Sequence, residues 1–294
     1  MKSIRRLNFH HLYYFWMVAK DGRLTRVAGR LHISQSALST QIRKLEEQLG
    51  QELFIREGKT LQLTELGNMV LNYAEGIFAL ANELVETISG GERQQIQQLR
   101  IGAVATLSRN FQDNFLRPII SSKQVRLVLR SGSLDELLEQ LAIHQLDLVL
   151  SNTPVIAEAQ KPWRCRRIDR QKVCLVGRPL AGDEAFSFER DLASIRLLLP
   201  GRSSDIRGQF DVLCEDLKLE PDVYAEVDDM AMLRLLTRDS GAVAVLPEVV
   251  VQDELRNGTL EKYCTVPQVY ENFYAITTKR HFQPSMLQAL LHAA

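Results

Sequence analysis

Residues 25–56 read TRVAGRLHISQSALSTQIRKLEEQLGQELFIR, and their spacing decides the first domain. Val27, Ala28 and Leu31, then Ala37, Leu38, Ile42, Leu45 and Leu49, recur at helical intervals and predict two helices with buried stripes. His32-Ile33 makes a tight link, Ser34 or Ser36 caps the second helix, and Gly50 suits its end. A small Ala28 lets the two helices cross closely. Ser34, Gln35, Ser36, Ser39, Thr40 and Arg43 are left on one short, polar, basic face, with Arg30 on the helix before it. A helix entering the major groove needs such a face. Upstream, Leu12, Phe15, Val18 and Ala19 predict a further helix stopped by Asp21-Gly22. Downstream, 53–56 and 61–63 flank Gly58-Lys59 as a strand-turn-strand wing. Arg56 and Lys59 there can reach phosphates or a minor groove.

The chain of 294 residues carries 36 basic and 36 acidic side chains, and its formal net charge is zero. That sum hides a division. Residues 1–62 hold eleven Lys and Arg against five Asp and Glu, a net of +6, and the remainder is acidic by the same amount. An apolar share of 45% supports a core in each of two domains and argues against global disorder. Neither a membrane span nor an export signal is expected, because 7–19 is too short and Asn8, His10 and His11 interrupt it. Four scattered cysteines fit a reducing compartment, the cytoplasm.

Residues 64–91 carry Leu66, Val70, Tyr73, Ile77, Leu80 and Leu84 on one stripe, with four Glu and no Lys or Arg. A stripe this long predicts a helix that pairs with a second copy. Residues 92–98 read as a polar hinge. From residue 99 strand-like and helix-like segments alternate, an α/β pattern. Expected strands include 165–168 and 173–176 as separate elements, and 270–277; expected helices include 134–144 and 248–257. The α/β part divides into 99–163 with 266–294 as one subdomain and 164–265 as another. The DNA-reading domain is 1–63 and the linker helix 64–91.

The 25–56 run, continuing into Leu63-Thr64-x-x-Gly67, resembles the LysR-type transcriptional regulators at nearly every spaced position. The resemblance implies a winged helix-turn-helix, a long linker helix, and a two-subdomain effector module like periplasmic binding proteins. It implies an activator that binds double-stranded DNA at an interrupted palindrome as a homodimer or homotetramer, in the bacterial nucleoid, with RNA polymerase as a further partner. Runs 11–16, 137–141, 198–202 and Asp228-Asp229 are similar to members that regulate a sodium/proton antiporter, which implies cation or osmotic stress genes as targets. Departures are Arg23, Val27 and Thr40, where many members carry Ser, Ala and Arg. The cap of the second helix then passes to Thr25.

Candidate effector contacts are Thr106, Leu107 and Ser108 at a helix start, where hydroxyls and backbone N–H groups can hold an anion. Read alone, these are ordinary N-caps. The resemblance adds Asn152, Thr153, Arg202, Ser203 and Ser204 as the other walls of an effector cleft, and Asp228 is a further candidate as a carboxylate for a hard cation. The effector is then a sodium or lithium ion, which suits carboxylates such as Asp228, or a small organic anion. Asp228-Asp229 read alone is a helix cap. No metal site and no cofactor are expected, and GxSxG, P-loop, GxGxxG and HExxH motifs are absent, which leaves no enzyme reading. Two alternatives remain: a solute-receptor-like binding module, and a redox-sensing regulator using Cys165 and Cys174 on neighbouring strands.

Overall fold

The computed structural model describes residues 7–57, 60–88, 96–156, 163–180, 185–278 and 285–293. Lys59, residues 92–95 of the expected hinge, and the side chain of Arg56 lie outside that description. Packing divides the chain into two units, Met1–Arg93 with Ala142–Gln145, and Gln94–Leu141 with Leu146–Ala294.

The first unit opens with three helices, α1 (Phe9–Asp21), α2 (Leu24–Arg30) and α3 (Gln35–Leu49). Their shared core is Phe15, Val18, Val27, Ala28, Leu38, Ile42 and Leu45, all buried. Ala37 and Leu49, expected inward, are exposed, since one lies off the stripe and the other runs past the end of the core. Ser34 caps α3 by accepting the Ala37 N–H at 3.1 Å, and Gly50 ends it at φ +75°. Arg23 stands at the start of α2 with no side-chain cap, so that cap does not pass to Thr25.

The wing is an antiparallel pair, β1 (Phe54–Glu57) and β2 (Thr60–Leu63), with Phe54 opposite Leu63. It is fixed to α3 by the Glu46 carboxylate, which accepts the N–H groups of Leu53 at 2.9 Å and Phe54 at 3.3 Å. Thr64 completes the joint. Its N–H donates to the Leu53 carbonyl at 3.0 Å, and its hydroxyl donates to the Glu52 carbonyl at 2.9 Å. The same hydroxyl accepts the Gly67 N–H at 2.8 Å and so caps α4 (Glu65–Ile88). Gly67 packs directly on the Leu53 carbonyl oxygen, where a Cβ would overlap it.

Helix α4 has two apolar faces. Ala74 is buried, and Leu66, Val70, Ile77 and Phe78 are half-buried against the unit's own core. Trp16 and Tyr13 of α1 meet Phe78 with ring centroids 5.0 and 5.5 Å apart. Met69, Tyr73, Leu80 and Leu84 form the other face, which is exposed.

The second unit is built on an eight-stranded sheet. In chain order its elements are β3 (Gln97–Val104), α5 (Arg109–Ile120), β4 (Val125–Gly132), α6 (Leu134–Ala142), β5 (Leu148–Ser151), β6 (Trp163–Gly177), α7 (Phe188–Asp191) and β7 (Arg196–Pro200). They continue as α8 (Asp205–Asp216), β8 (Asp222–Val227), α9 (Met230–Ser240), β9 (Val243–Pro247), α10 (Gln252–Arg256), β10 (Glu261–Thr278) and α11 (Ser285–Ala293). The strand order is β4-β3-β5-β10-β6-β9-β7-β8. Parallel pairs form each wing of the sheet, and β10 pairs antiparallel with both β5 and β6 at its centre.

Three expectations change here. Segments 165–168 and 173–176 are one strand, because 169–172 keep pairing with β10, Gln171 lying opposite Glu271. Strand β10 begins at Glu261 rather than Tyr270, and the expected subdomain boundary at 265/266 falls inside it, at a register shift between Thr265 and Tyr270. Pro267, which has no N–H to give a ladder, sits in that gap. Segment 248–257 is a 3-10 turn, Glu248–Val251, followed by α10. Val249, Val250 and Val251 are all buried, which a single-faced helix could not achieve.

If the Leu53 joint sets the first unit, Gly67→Ala destabilises it by about 1–3 kcal/mol through overpacking. Amide exchange is expected to quicken across α1–α4 while β3–β10 keep their protection.

Candidate nucleic-acid interface and ligand cleft

On α3 the face opposite the core carries Gln35, Ser36, Thr40 and Arg43, all exposed, with Ser39 half-buried. The Ser34 and Ser36 hydroxyls lie 3.0 Å apart, and the Thr40 hydroxyl donates to the Ser36 carbonyl at 2.9 Å. These bonds fix the short side chains near the helix start and leave the longer Gln35 and Arg43 to reach outward. Arg30 is held elsewhere. Its guanidinium pairs with Asp21 at 3.1 Å, and Arg26 donates to the same carboxylate at 2.5 Å. Arg30 keeps 60% side-chain exposure, so it can still meet a phosphate from the rim of this face.

In the second unit the expected cleft residues separate into two groups. Thr106, in the β3–α5 turn, donates from its hydroxyl to Asn152 Oδ1 at 3.2 Å. Asn152, following β5, donates through Nδ2 to Glu271 Oε1 on β10 at 3.2 Å. Leu107 is buried in the core, and Ser108 is a buried cap that accepts the Phe111 N–H at 3.3 Å. Thr153 is exposed, and its backbone exchanges hydrogen bonds with the Ser151 hydroxyl. Helix α8 starts against the same strand: Gln209 accepts the Tyr270 N–H at 3.1 Å and donates to the Tyr270 carbonyl at 3.0 Å. Ser204, at the cap position of α8, makes no cap bond, and its buried hydroxyl has no partner.

Other expected contacts are engaged differently. Arg202 is 82% exposed and pairs with Glu226 at 3.6 Å, and Ser203 is exposed beside it. The Asp228 carboxylate packs against Gly201, where a Cβ would overlap it, and Asp229 caps α9 by accepting the Ala231 N–H at 2.6 Å.

Glu271 was not among the expected residues. It is 3% exposed, and its Oε2 has no hydrogen-bond partner. Burial pushes its carboxyl up to about 7; Asn152 lowers it and the like charge of Asp205 raises it further. Strand alternation could have found it, because Val269, Glu271, Phe273 and Ala275 share the buried parity. Phe273 stacks on Phe111 at 3.8 Å, which closes the apolar side of that face.

The redox alternative fails on geometry. Cys165 and Cys174 lie on the same strand, nine residues and therefore about 30 Å apart, far beyond disulfide reach. Burial raises the Cys174 thiol and pushes Cys214 and Cys264 up to about 11, which disfavours the reactive thiolate at each. Among the described residues no group of three or more His, Cys, Asp or Glu could hold a metal ion, and no helix is long and apolar enough to cross a membrane.

Since Glu271 binds its proton more tightly folded than unfolded, it stabilises the fold below about pH 4.5, and that contribution is lost as pH rises through about 7. Glu271→Gln is expected to remove this loss. At pH 8 the variant should be more stable than the wild type by about 2–3 kcal/mol, and at pH 4.5 nearly equal, by urea denaturation.

Two family models match the chain. Residues 9–68 match the bacterial regulatory helix-turn-helix protein, lysR family, and residues 92–294 match the LysR substrate binding domain. The transcriptional activator protein NhaR of Escherichia coli is 28% identical over 292 residues, covering 98% of this chain and 95% of NhaR. Full-length CbnR bound to its target DNA aligns with TM-score 0.63 at 21% identity, over 97% of this chain and 98% of that one. Full-length OxyR from Pseudomonas aeruginosa, in a cysteine-to-aspartate variant, aligns with TM-score 0.65 at 21% identity, over 98% and 94%. The two models together span most of the chain, a helix-turn-helix followed by an α/β domain, and the chain belongs to the LysR family of DNA-binding transcriptional regulators.

Proposed function

We propose that the chain is an activator that reads an interrupted palindrome as a dimer or tetramer and answers to a small effector. The observation that carries this reading is the two-faced helix α3, buried through Leu38, Ile42 and Leu45 and open through Gln35, Ser36, Thr40 and Arg43. Such a helix lies in the major groove, where Gln and Arg meet adenine and guanine edges and Ser34, Ser39 and Thr40 meet either bases or phosphates. Arg30 with Arg56 and Lys59 of the wing bears on phosphates or the minor groove. The +6 balance of residues 1–62 supports binding to a polyanion.

A reader of this size recognises few base pairs, and a two-fold pair doubles the site. The exposed face of α4, with Tyr73, Leu80 and Leu84, supports its role as the pairing surface; Leu66, Val70 and Ile77 lend it an inner edge while packing on their own core. Thr106, Asn152 and Ser204 are the effector contacts best supported by the geometry. A filled cleft shifts the spacing of the two reading helices or the DNA bend, and through them the contact with RNA polymerase. The likeness to NhaR supports sodium/proton antiporter or cation and osmotic stress genes as targets, read in the nucleoid of a bacterial cytoplasm.

Binding to operator DNA, followed by fluorescence anisotropy, is expected to weaken with salt by about 0.9 in log K per log unit for each phosphate contacted. Arg43→Ala should relax base choice by about 1–3 kcal/mol at the positions it reads. A complex indifferent to salt, or an unchanged footprint in the variant, contradicts the assignment. Placing Asp at both Tyr73 and Leu84 should yield monomers by light scattering with α1–α3 intact by circular dichroism; persistent dimers contradict the role of α4.

A further inference from the structure

The polar chain running Thr106 to Asn152 to Glu271 ends on a carboxylate oxygen with nothing to accept. A buried acceptor left open is costly, and a buried charge costs more. The groups facing Glu271 do not relieve it. From β5 it meets Asn152, from β6 its register partner is Gln171, and the charge bearing on it from α8 is that of Asp205, which repels. A second open acceptor, the Ser204 hydroxyl, is buried where α8 starts against β10.

The two guanidinium groups that flank the start of α8 are already committed. Arg202 pairs with Glu226 at the surface, and Arg207 pairs with Glu226 at 3.0 Å and Asp211 at 2.8 Å. An anionic ligand entering here would meet Glu271 and Asp205 with no cation assigned to it. A group with a positive charge and two or three N–H donors fits both the number of acceptors and their sign.

We propose that Glu271 is the recognition group for a cationic effector, its free oxygen accepting an ion-paired N–H from an ammonium or guanidinium group whose second donor is taken by Ser204. This rests on the effector reading of the same cleft and supplies its chemical class. Binding selects the ionised carboxyl, so the complex forms with release of a proton and tightens as pH rises through neutrality.

The test uses the full-length chain in thermal-shift and calorimetric titrations at pH 6 and pH 8. Probes are the amines ethanolamine, putrescine and agmatine, the anions benzoate and succinate, and sodium and lithium chloride against matched potassium chloride. One amine is expected to raise Tm, more at pH 8 than at pH 6. Glu271→Gln should weaken that amine about tenfold or more and erase the pH dependence. Ser204→Ala, a milder change that keeps the carboxyl, should weaken it several-fold with the pH dependence intact. An amine that stabilises wild type and Glu271→Gln equally overturns the proposal, as does stabilisation by sodium or lithium alone. Stabilisation by the carboxylates alone overturns it while leaving the cleft as an effector site. Failure of all three probe classes removes both readings.

Discussion

The backbone of Leu53 is the joint on which the DNA-reading unit depends. Its N–H is held by the Glu46 carboxylate of α3, its carbonyl accepts the Thr64 N–H, and that same oxygen receives the close approach of Gly67. Three elements meet there: the reading helix, the wing and the long helix α4. None could be placed independently. Base readout needs a reading helix set within a fraction of an ångström, and a two-fold site needs two of them at a set separation. A joint made of backbone groups and one half-buried carboxylate gives α3 a defined position relative to the helix that carries the exposed Tyr73, Leu80 and Leu84 face.

The second unit is organised by a different constraint, the long antiparallel pairing of β6 and β10. Together they join two sets of parallel strands, β10 pairing with β5 and β6 with β9, so the sheet remains one hydrogen-bonded layer across its middle. Glu271 occupies that middle, where a carboxyl is hardest to solvate. Its raised affinity for protons and its open oxygen belong together: a site that destabilises the empty fold near neutral pH gains most from a ligand that restores the missing contact.

The first unit was legible because its signals are local. Leu38, Ile42 and Leu45 step by helical intervals, Ser34 caps and Gly50 stops, and all of these act within a few residues. The α/β alternation was legible for the same reason. What escaped depends on long-range pairing. The polar stretch 169–172 looks like a break until its partner on β10 is known, and with it Cys165 and Cys174 become distant points on one strand. Of the expected effector contacts, Thr106, Asn152 and Ser204 follow strand ends, whereas Arg202 and Asp228 turned to Glu226 and Gly201. Glu271 was hidden by its type, since a glutamate in a strand reads as solvent-facing although its parity is that of Phe273.

The zero net charge of the whole chain likewise concealed a basic reader joined to an acidic remainder. Whether α3 reads base edges in a two-fold arrangement is tested by selecting bound sequences from a random duplex library with the full-length protein. The expected result is enrichment of an interrupted palindrome whose half-site centres are separated by about one or two helical turns, roughly 10 or 21 base pairs. Recovery of unenriched DNA, or of a lone half-site with no symmetric mate, would contradict it.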